Sequence, residues 1–156
     1  MSHSYICCLV HTVFSTAERR PLIRVEIQNG LHAYLGGIAR DNEMAALAVG
    51  GVADHVHVLL SLSRTASVAK AVQLLKAGSS KWLNELDGRS FAWQEGYAAF
   101  SVSVSQRQKV TDYVLGQVEH HKRVTFAEEL SRLLRAHGIG EEELSRPSGT
   151  PISYAN

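Results

Sequence analysis

The chain has 156 residues, of which 45% are hydrophobic and 20% charged, a balance that excludes a long disordered region. Lys and Arg together number 16 and Asp and Glu 15, so the formal net charge of +1 excludes nucleic-acid binding driven by overall charge. No apolar run approaches the roughly 18 residues of a membrane span, and no secretory leader pattern opens the sequence. We expect a cytoplasmic protein with one domain over residues 1–140 and a tail over residues 141–156, and no membrane partner.

The first predicted element is a strand over residues 4–14, SYICCLVHTVF, which is rich in residues that favour strands. Cys7 and Cys8 lie in this run, and adjacent cysteines rarely form a disulfide because the geometry is strained. We therefore expect both to be reduced core residues. The strand is long and apolar enough to be an exposed edge that a second copy covers, which predicts a homodimer.

Two helices and a strand hairpin are predicted next. Apolar residues at helical spacing begin a helix at Val25. The runs MAALAVG, residues 44–50, and VGGVADHVHVLLSL, residues 49–62, contain two strands joined by a short turn at the glycines. Ser67 is the predicted N-cap of a second helix, with a weak point at Gly78 and the serines that follow it. The inner stripe of that helix is predicted to be Val68, Val72, Leu75, Trp82, Leu83 and Leu86.

A fourth strand follows, because hydrophobic and small polar residues alternate in GYAAFSVSVS, residues 96–105. The element order is then strand, helix, strand, strand, helix, strand. This order predicts an α+β fold with a ferredoxin-like βαββαβ antiparallel sheet and helices on one face. We expect the opposite face of the sheet to stay open as a binding surface.

Two further helices follow the fourth strand. Ser105 with Gln108, and Thr125 with Glu128, have the spacing of capping boxes. The first of these helices is predicted to bury the stripe Val110, Val114 and Val118. His120 and His121 follow at its end, where we expect surface or partner-contacting residues that complement the helix dipole.

His55 and His57 are one residue apart in an apolar strand, so both side chains point to the same face of the sheet. Two neutral imidazoles on one face form a pincer for a divalent ion. The alternative is a strand with two half-exposed histidines and no ligand, and the pair alone leaves that alternative open.

Tyr113 and Gln117 lie four residues apart, so they share one face of the predicted helix. An oxygen ligand from Gln117 would suit Mg²⁺ or Mn²⁺ beside the two histidines. A phenol next to such an ion suggests nucleophilic attack on a phosphodiester, with a covalent phosphotyrosine that conserves the bond energy. The alternative for Tyr113 is an aromatic side chain that only fills a helix–sheet interface.

The sequence resembles the single-tyrosine HUH transposases of the insertion-sequence-200-like family. The resemblance rests on HVH at residues 55–57, on YVLGQVEHH at residues 113–121, and on other segments in family order, among them VHTVFSTAERRPLI, LLKAGSSKWLNE and GYAAFSVSVSQ. It implies a metal-dependent nuclease and strand transferase from a bacterium or archaeon, which acts as a homodimer on single-stranded DNA with hairpins. It assigns the nucleophile to Tyr113 and the metal ligands to His55, His57 and Gln117.

Two other functions stay open beside the transposase. One is a domesticated enzyme of the REP-associated type, which acts on chromosomal hairpins, and the other is a non-catalytic ferredoxin-like nucleic-acid binder. The resemblance leaves open whether the tyrosine helix serves its own chain or a partner subunit. Phosphate contacts are expected from basic side chains, for which the candidates are Arg19, Arg20, Lys76, Lys81 and Lys122.

Overall fold

Four strands form one antiparallel sheet in the computed structural model of the chain, which describes residues 3–144 and residue 146. The strands are β1 (Leu9–Ser15), β2 (Ala45–Gly51), β3 (His55–Ser61) and β4 (Ala98–Val102). Their order across the sheet is β2-β3-β1-β4, and every neighbouring pair is antiparallel. With one helix between β1 and β2 and another between β3 and β4, this is the predicted ferredoxin-like α+β fold.

The helices are α1 (Val25–Asp41), α2 (Val68–Asp87), α3 (Arg107–Leu115), α4 (Gln117–His120), α5 (Phe126–Ala136) and α6 (Glu141–Leu144). Short 3-10 turns cover Ala17–Arg19 and Val104–Gln106. No helix in the described part of the chain is long and apolar enough to cross a membrane.

The predicted N-cap of α2 is confirmed, because the Ser67 hydroxyl accepts a hydrogen bond from the Lys70 amide at 3.1 Å. The capping box of Thr125 and Glu128 at α5 is also confirmed. The box predicted at Ser105 is wrong, because a 3-10 turn occupies residues 104–106 ahead of α3. Both confirmed caps satisfy amides at a helix N-terminus that have no partner within the helix.

The main hydrophobic core lies between the sheet and the pair α1 and α2, which pack on one face as predicted. Its fully buried members come from both layers, among them Leu31, Leu35, Val56, Val58, Leu60, Val72 and Leu75. Leu86, predicted in the inner stripe of α2, is 54% exposed because it lies in the last turn of the helix, beyond the core.

The predicted weak point in α2 is a site of close packing. A Cβ atom at Gly78 would lie 2.7 Å from Cδ1 of Ile38, so the missing side chain lets α1 and α2 approach each other. The neighbouring Ser79 hydroxyl donates to the Leu75 carbonyl at 2.6 Å. The helix therefore runs without a break from Val68 to Asp87.

The other face of the sheet, expected to stay open, is partly covered by α3. Val114 of α3 is fully buried and packs with Leu9, Ala48 and Leu59 of the sheet. Gly50 of β2 explains this contact, because a Cβ atom at this position would lie only 1.9 Å from the Val114 carbonyl oxygen. The absence of a side chain there lets the backbone of α3 rest on the sheet.

The helix predicted to carry Tyr113 and Gln117 together is interrupted at Gly116, so that α3 ends at Leu115 and α4 begins at Gln117. Val118, predicted to continue the buried stripe, lies beyond this break in α4 and is 55% exposed.

Two expectations about the first strand are wrong. Cys7 and Cys8 form no disulfide, as predicted, but both are exposed and lie outside the core, because β1 begins only at Leu9. β1 pairs with both β3 and β4, so it is a central strand and cannot offer a free edge to a second copy. Its seven residues are all buried, and burial on both faces is typical of a central strand.

The chain divides into two compact units, Met1–Glu119 and the part from His120 onward. The sheet, α1, α2 and α3 belong to the first unit, and α5 and α6 belong to the second. The boundary predicted between residues 140 and 141 stays a prediction. Of the predicted tail, residue 145 and residues 147–156 lie outside the described residues.

Candidate active site

His55 and His57 lie side by side on β3, and both side chains are completely buried. They share the face of the sheet that carries Leu59 and α3, and one ligand atom of each lies within 4.8 Å of the other. The alternative with two half-exposed histidines is therefore excluded, and so is the expectation that the pair lines an open face. Two buried imidazoles this close need polar partners.

Each imidazole has such a partner at its Nδ1 atom. His55 Nδ1 lies 2.6 Å from the Oδ1 atom of Asp54, and His57 Nδ1 lies 2.8 Å from the Nε2 atom of His11. The Asp54 peptide is itself held in place, since its carbonyl accepts hydrogen bonds from the amide and hydroxyl of Thr16 at 2.9 and 3.1 Å. The imidazole pair is thus fixed from the side opposite its Nε2 atoms.

Neither His11 nor Asp54 was among the predicted site residues. Asp54 directly precedes the histidine strand, so the segment DHVH carried a signal for it. His11 is 46 residues away from His57, and only the pairing of β1 with β3 brings the two rings together. Without the strand order, nothing in the sequence singles out His11.

Gln117 is buried beside the histidine pair, with 1% of its surface exposed. Its Oε1 atom lies 3.3 Å from His55 Nε2, and its amide nitrogen donates to the Tyr113 carbonyl at 3.3 Å. The second hydrogen bond spans the break at Gly116. It keeps Gln117 next to Tyr113 even though the two residues belong to different helices.

Tyr113 is half-buried, and its ring lies at a steep angle to the rings of two imidazoles. The ring centroids of Tyr113 and His57 are 5.8 Å apart with an interplanar angle of 80°, and those of Tyr113 and His11 are 6.0 Å apart at 73°. These are edge-to-face contacts of the kind that aromatic rings favour. A phenol and two buried imidazoles therefore meet within one chain.

The donor atoms fit a divalent cation that takes nitrogen and oxygen ligands. Neutral imidazole and amide oxygen are both common ligands of such ions. Two adjacent ligands of an octahedral ion at about 2.1 Å are about 3 Å apart, and the Nε2 atom of His55 and the Oε1 atom of Gln117 are 3.3 Å apart. Hydrogen bonds at both Nδ1 atoms are the usual support of metal-binding histidines.

The predicted phosphate contacts fall into two groups. Arg19, Arg20, Lys81 and Lys122 are exposed. Lys76 instead donates from Nζ to the carbonyls of Gln94 and Gly96 at 2.6 and 2.8 Å. Partial burial lowers the pKa of Lys76, and the charge of Glu95 raises it in part. Lys76 therefore holds the turn before β4 against α2, and its contact with DNA stays a prediction.

In the second unit, Glu129 is a buried carboxylate with two histidine partners. Its oxygens lie 3.1 Å from His120 Nε2 and 3.2 Å from His121 Nε2. His121 also binds the Val124 carbonyl through Nδ1 at 2.7 Å, and only 9% of its side chain is exposed. The expectation of a surface residue is therefore wrong for His121, because the buried carboxylate holds its imidazole.

Two known transposases are similar to the chain in sequence. The chain is 29% identical over 130 residues to the transposase for insertion sequence element IS200 of Salmonella typhimurium, which covers 78% of this chain and 84% of the relative. It is 25% identical over 114 residues to the ISDra2 transposase TnpA of Deinococcus radiodurans, with 69% of this chain and 81% of that protein covered.

Two solved structures have a similar fold. A putative transposase from Deinococcus radiodurans superposes with a TM-score of 0.60 at 22% identity. The match covers 73% of this chain and 94% of the Deinococcus chain. A REP-associated tyrosine transposase bound to a REP hairpin superposes with a TM-score of 0.59 at 15% identity. This match covers 99% of this chain and 98% of the REP-associated enzyme. The family model "Transposase IS200 like" matches residues 4–117, which include β1 to β4, Tyr113 and Gln117. The chain therefore belongs to the IS200-like transposase family and is a DNA transposase.

Proposed function

We propose that the protein cleaves and rejoins single-stranded DNA at hairpin-bearing ends through a 5′-phosphotyrosine on Tyr113, with Mg²⁺ or Mn²⁺ as cofactor. The observation that carries this proposal is the placement of the Tyr113 ring 5.8 Å from the ring of His57, beside a buried donor set of two imidazoles and one amide. A nucleophile and a cation site in one place are what transesterification of a phosphodiester needs.

The cleavage step forms one bond and breaks another at the same phosphorus. The Tyr113 oxygen attacks, the bond from phosphorus to the 3′ oxygen breaks, and the DNA on the 3′ side of the break stays on the tyrosine through its 5′ phosphate. The phenol loses its proton and the departing 3′ oxygen gains one. In the reverse step, a free 3′-hydroxyl on another strand attacks the phosphotyrosine, which joins the two DNA pieces and returns the proton to Tyr113. A cation held by His55, His57 and Gln117 would stabilise the charge on the phosphate and the leaving oxygen.

The proposed partner is single-stranded DNA that folds into a hairpin. One relative of similar fold was solved with a REP hairpin bound. In this chain, the exposed residues Arg19, Arg20, Lys81 and Lys122 offer charges for phosphate contacts. We also propose a homodimer, and since β1 is internal, the strands at the sheet edges are β2 and β4.

A second candidate is a domesticated enzyme that acts on chromosomal hairpins. The observation in its favour is the extent of the fold match, because the REP-associated enzyme covers 99% of this chain, whereas the Deinococcus structure covers 73%. The chemistry at Tyr113 would be the same in both cases. Only the DNA that is cut would differ.

A cleavage assay with tiled DNA tests the proposed reaction and finds the target sequence at the same time. Single-stranded oligonucleotides tiled across the DNA on both sides of the gene are incubated with the protein and Mg²⁺ or Mn²⁺, with chelator and with the matching duplexes as controls. We expect a break at a fixed distance from a hairpin that leaves a free 3′-hydroxyl, in single strands only and only with metal. If no tiled strand is cut, or if cutting is unaffected by the chelator, the proposed reaction is wrong.

A further inference from the structure

His11 makes a buried hydrogen bond to a residue of the metal donor set. Its Nε2 atom lies 2.8 Å from Nδ1 of His57, the two rings are stacked with centroids 5.1 Å apart, and only 3% of His11 is exposed. The bond therefore raises the question of which ring carries the shared proton.

The answer decides whether His57 can bind a metal through its outer nitrogen. A neutral imidazole carries one N–H and one lone pair. If His57 donates from Nδ1, its lone pair is on Nε2, and His11 accepts at Nε2 and carries its own proton on Nδ1. If His11 donates instead, His57 carries its proton on Nε2, and that nitrogen cannot ligate a cation.

We propose that His11 is a positioning residue, which accepts a hydrogen bond from His57 Nδ1 and so holds the His57 lone pair on Nε2, ready for the cation. This inference rests on the metal site proposed above. The hydrogen bond to His11 supports His57 as Asp54 supports His55, whose Nδ1 lies 2.6 Å from the carboxylate. The two ligands thus differ in their support, since one partner is an acid and the other a neutral ring.

The stacked geometry gives His11 a second effect on the site. Its ring also packs edge to face with the ring of Tyr113, with centroids 6.0 Å apart. A substitution that keeps a flat ring at position 11 should therefore preserve this packing while it removes the acceptor. His11→Phe is such a variant, and His11→Gln is its match, because the amide oxygen can occupy the place of Nε2 and accept from His57.

The first measurement is Mn²⁺ binding by calorimetry, without DNA, in the wild type and both variants. We expect His11→Phe to bind Mn²⁺ about 10- to 100-fold more weakly, which is the usual effect of a lost outer partner, and His11→Gln to stay within a few-fold of the wild type. Thermal unfolding without metal confirms that each variant is folded. Equal Mn²⁺ affinity in wild type and His11→Phe would overturn the proposal.

The second measurement needs no variant at position 11. Long-range ¹⁵N–¹H correlation spectra of metal-free protein labelled at histidine, with the His57 signals assigned from their loss in His57→Asn, report the tautomer of each ring. We expect a proton on Nδ1 of both His57 and His11. A proton on Nε2 of His57 would overturn the proposal.

The two measurements also separate this inference from the proposed reaction. If Mn²⁺ binds and depends on an acceptor at position 11, the inference stands even when no DNA is cut. If DNA is cut but His11→Phe binds Mn²⁺ as tightly as the wild type, the proposed reaction stands and the role of His11 is wrong.

Discussion

The ring of Tyr113 meets the ring of His57 edge to face within the same chain, with centroids 5.8 Å apart and an interplanar angle of 80°. α3 brings the tyrosine to the histidine face of the sheet, and the contact of Val114 with Ala48 and Leu59 anchors that helix. The proposed nucleophile and the proposed metal ligands therefore need no second subunit to meet. The sequence left open whether they come from one chain or from two.

Mixing two inactive variants tests this arrangement. Tyr113→Phe and His57→Ala each remove one half of the proposed site, so neither should cleave DNA alone. If both halves come from one chain, a refolded mixture of the two proteins stays inactive, because no chain holds both residues. Cleavage by the mixture, at a level near a quarter to a half of the wild type, would show that the halves come from different subunits.

Gly50 offers a test of how α3 is positioned. A Cβ atom at residue 50 would lie 1.9 Å from the Val114 carbonyl oxygen, so Gly50→Ala must push α3, and with it Tyr113, away from the histidines. We expect a loss of DNA cleavage of at least tenfold, measured together with Mn²⁺ affinity, which should fall less.

The matched control is Gly36→Ala in α1. A Cβ atom there would have no neighbour within 4 Å, and Ala is favoured over Gly inside a helix by roughly 0.5–1 kcal/mol. This variant should be as active as the wild type and slightly more stable to urea. Full cleavage activity in Gly50→Ala would mean that α3 does not position the nucleophile.

His57→Ala should abolish metal-dependent cleavage and also lower stability. His57 is completely buried and binds His11, and a buried polar group left without its partner costs about 1–3 kcal/mol. Val58→Ala is the control, since Val58 is equally buried on the opposite face and its loss should cost about 2 kcal/mol through packing alone. We expect the two variants to have comparable unfolding curves, with cleavage retained only in Val58→Ala. This result would show that the loss of cleavage in His57→Ala comes from lost metal binding and not from lost stability. Cleavage by both variants would mean that His57 is not a ligand of the catalytic metal.

A homodimer is expected in solution. Light scattering behind a sizing column should give twice the chain mass of 17.1 kDa at working concentration. Because β1 is internal, the surfaces available to strand pairing are the edges at β2 and β4, and Leu47 on β2 is 41% exposed. A single-chain mass at every concentration would contradict the dimer, while the arrangement of Tyr113 beside His57 would be unaffected.

The sequence predicted the elements that local patterns determine. Period-two alternation gave the histidine strand, and helical spacing with the cap at Ser67 gave α1 and α2. The helical spacing of Tyr113 and Gln117 suggested the pair, and the resemblance to a family assigned their roles. Their proximity in space is a product of α3, the break at Gly116 and one hydrogen bond across it.

The features that the sequence did not predict depend on contacts between distant segments. β1 looks like an apolar edge strand when it is considered alone, and only pairing with β3 and β4 makes it central. The local pattern predicts a turn at the glycines, whereas Gly50 lies within β2 and its missing side chain lets the Val114 backbone approach. His11 joins the site for the same reason, because strand order and register are set by the whole sheet.

The most direct test of the account is the covalent adduct at Tyr113. Wild-type protein is incubated with Mg²⁺ and a single-stranded hairpin oligonucleotide labelled on the 3′ side of the break, then denatured and resolved by electrophoresis and mass spectrometry. We expect a denaturation-resistant protein–DNA adduct on Tyr113 through a 5′ phosphate. Tyr113→Phe keeps the ring and its contacts with His57 and His11, so it should bind the hairpin as the wild type does and form no adduct. Equal adduct formation by Tyr113→Phe would contradict the account and assign the attack to another residue, with Tyr97 as the next candidate because it is 44% exposed.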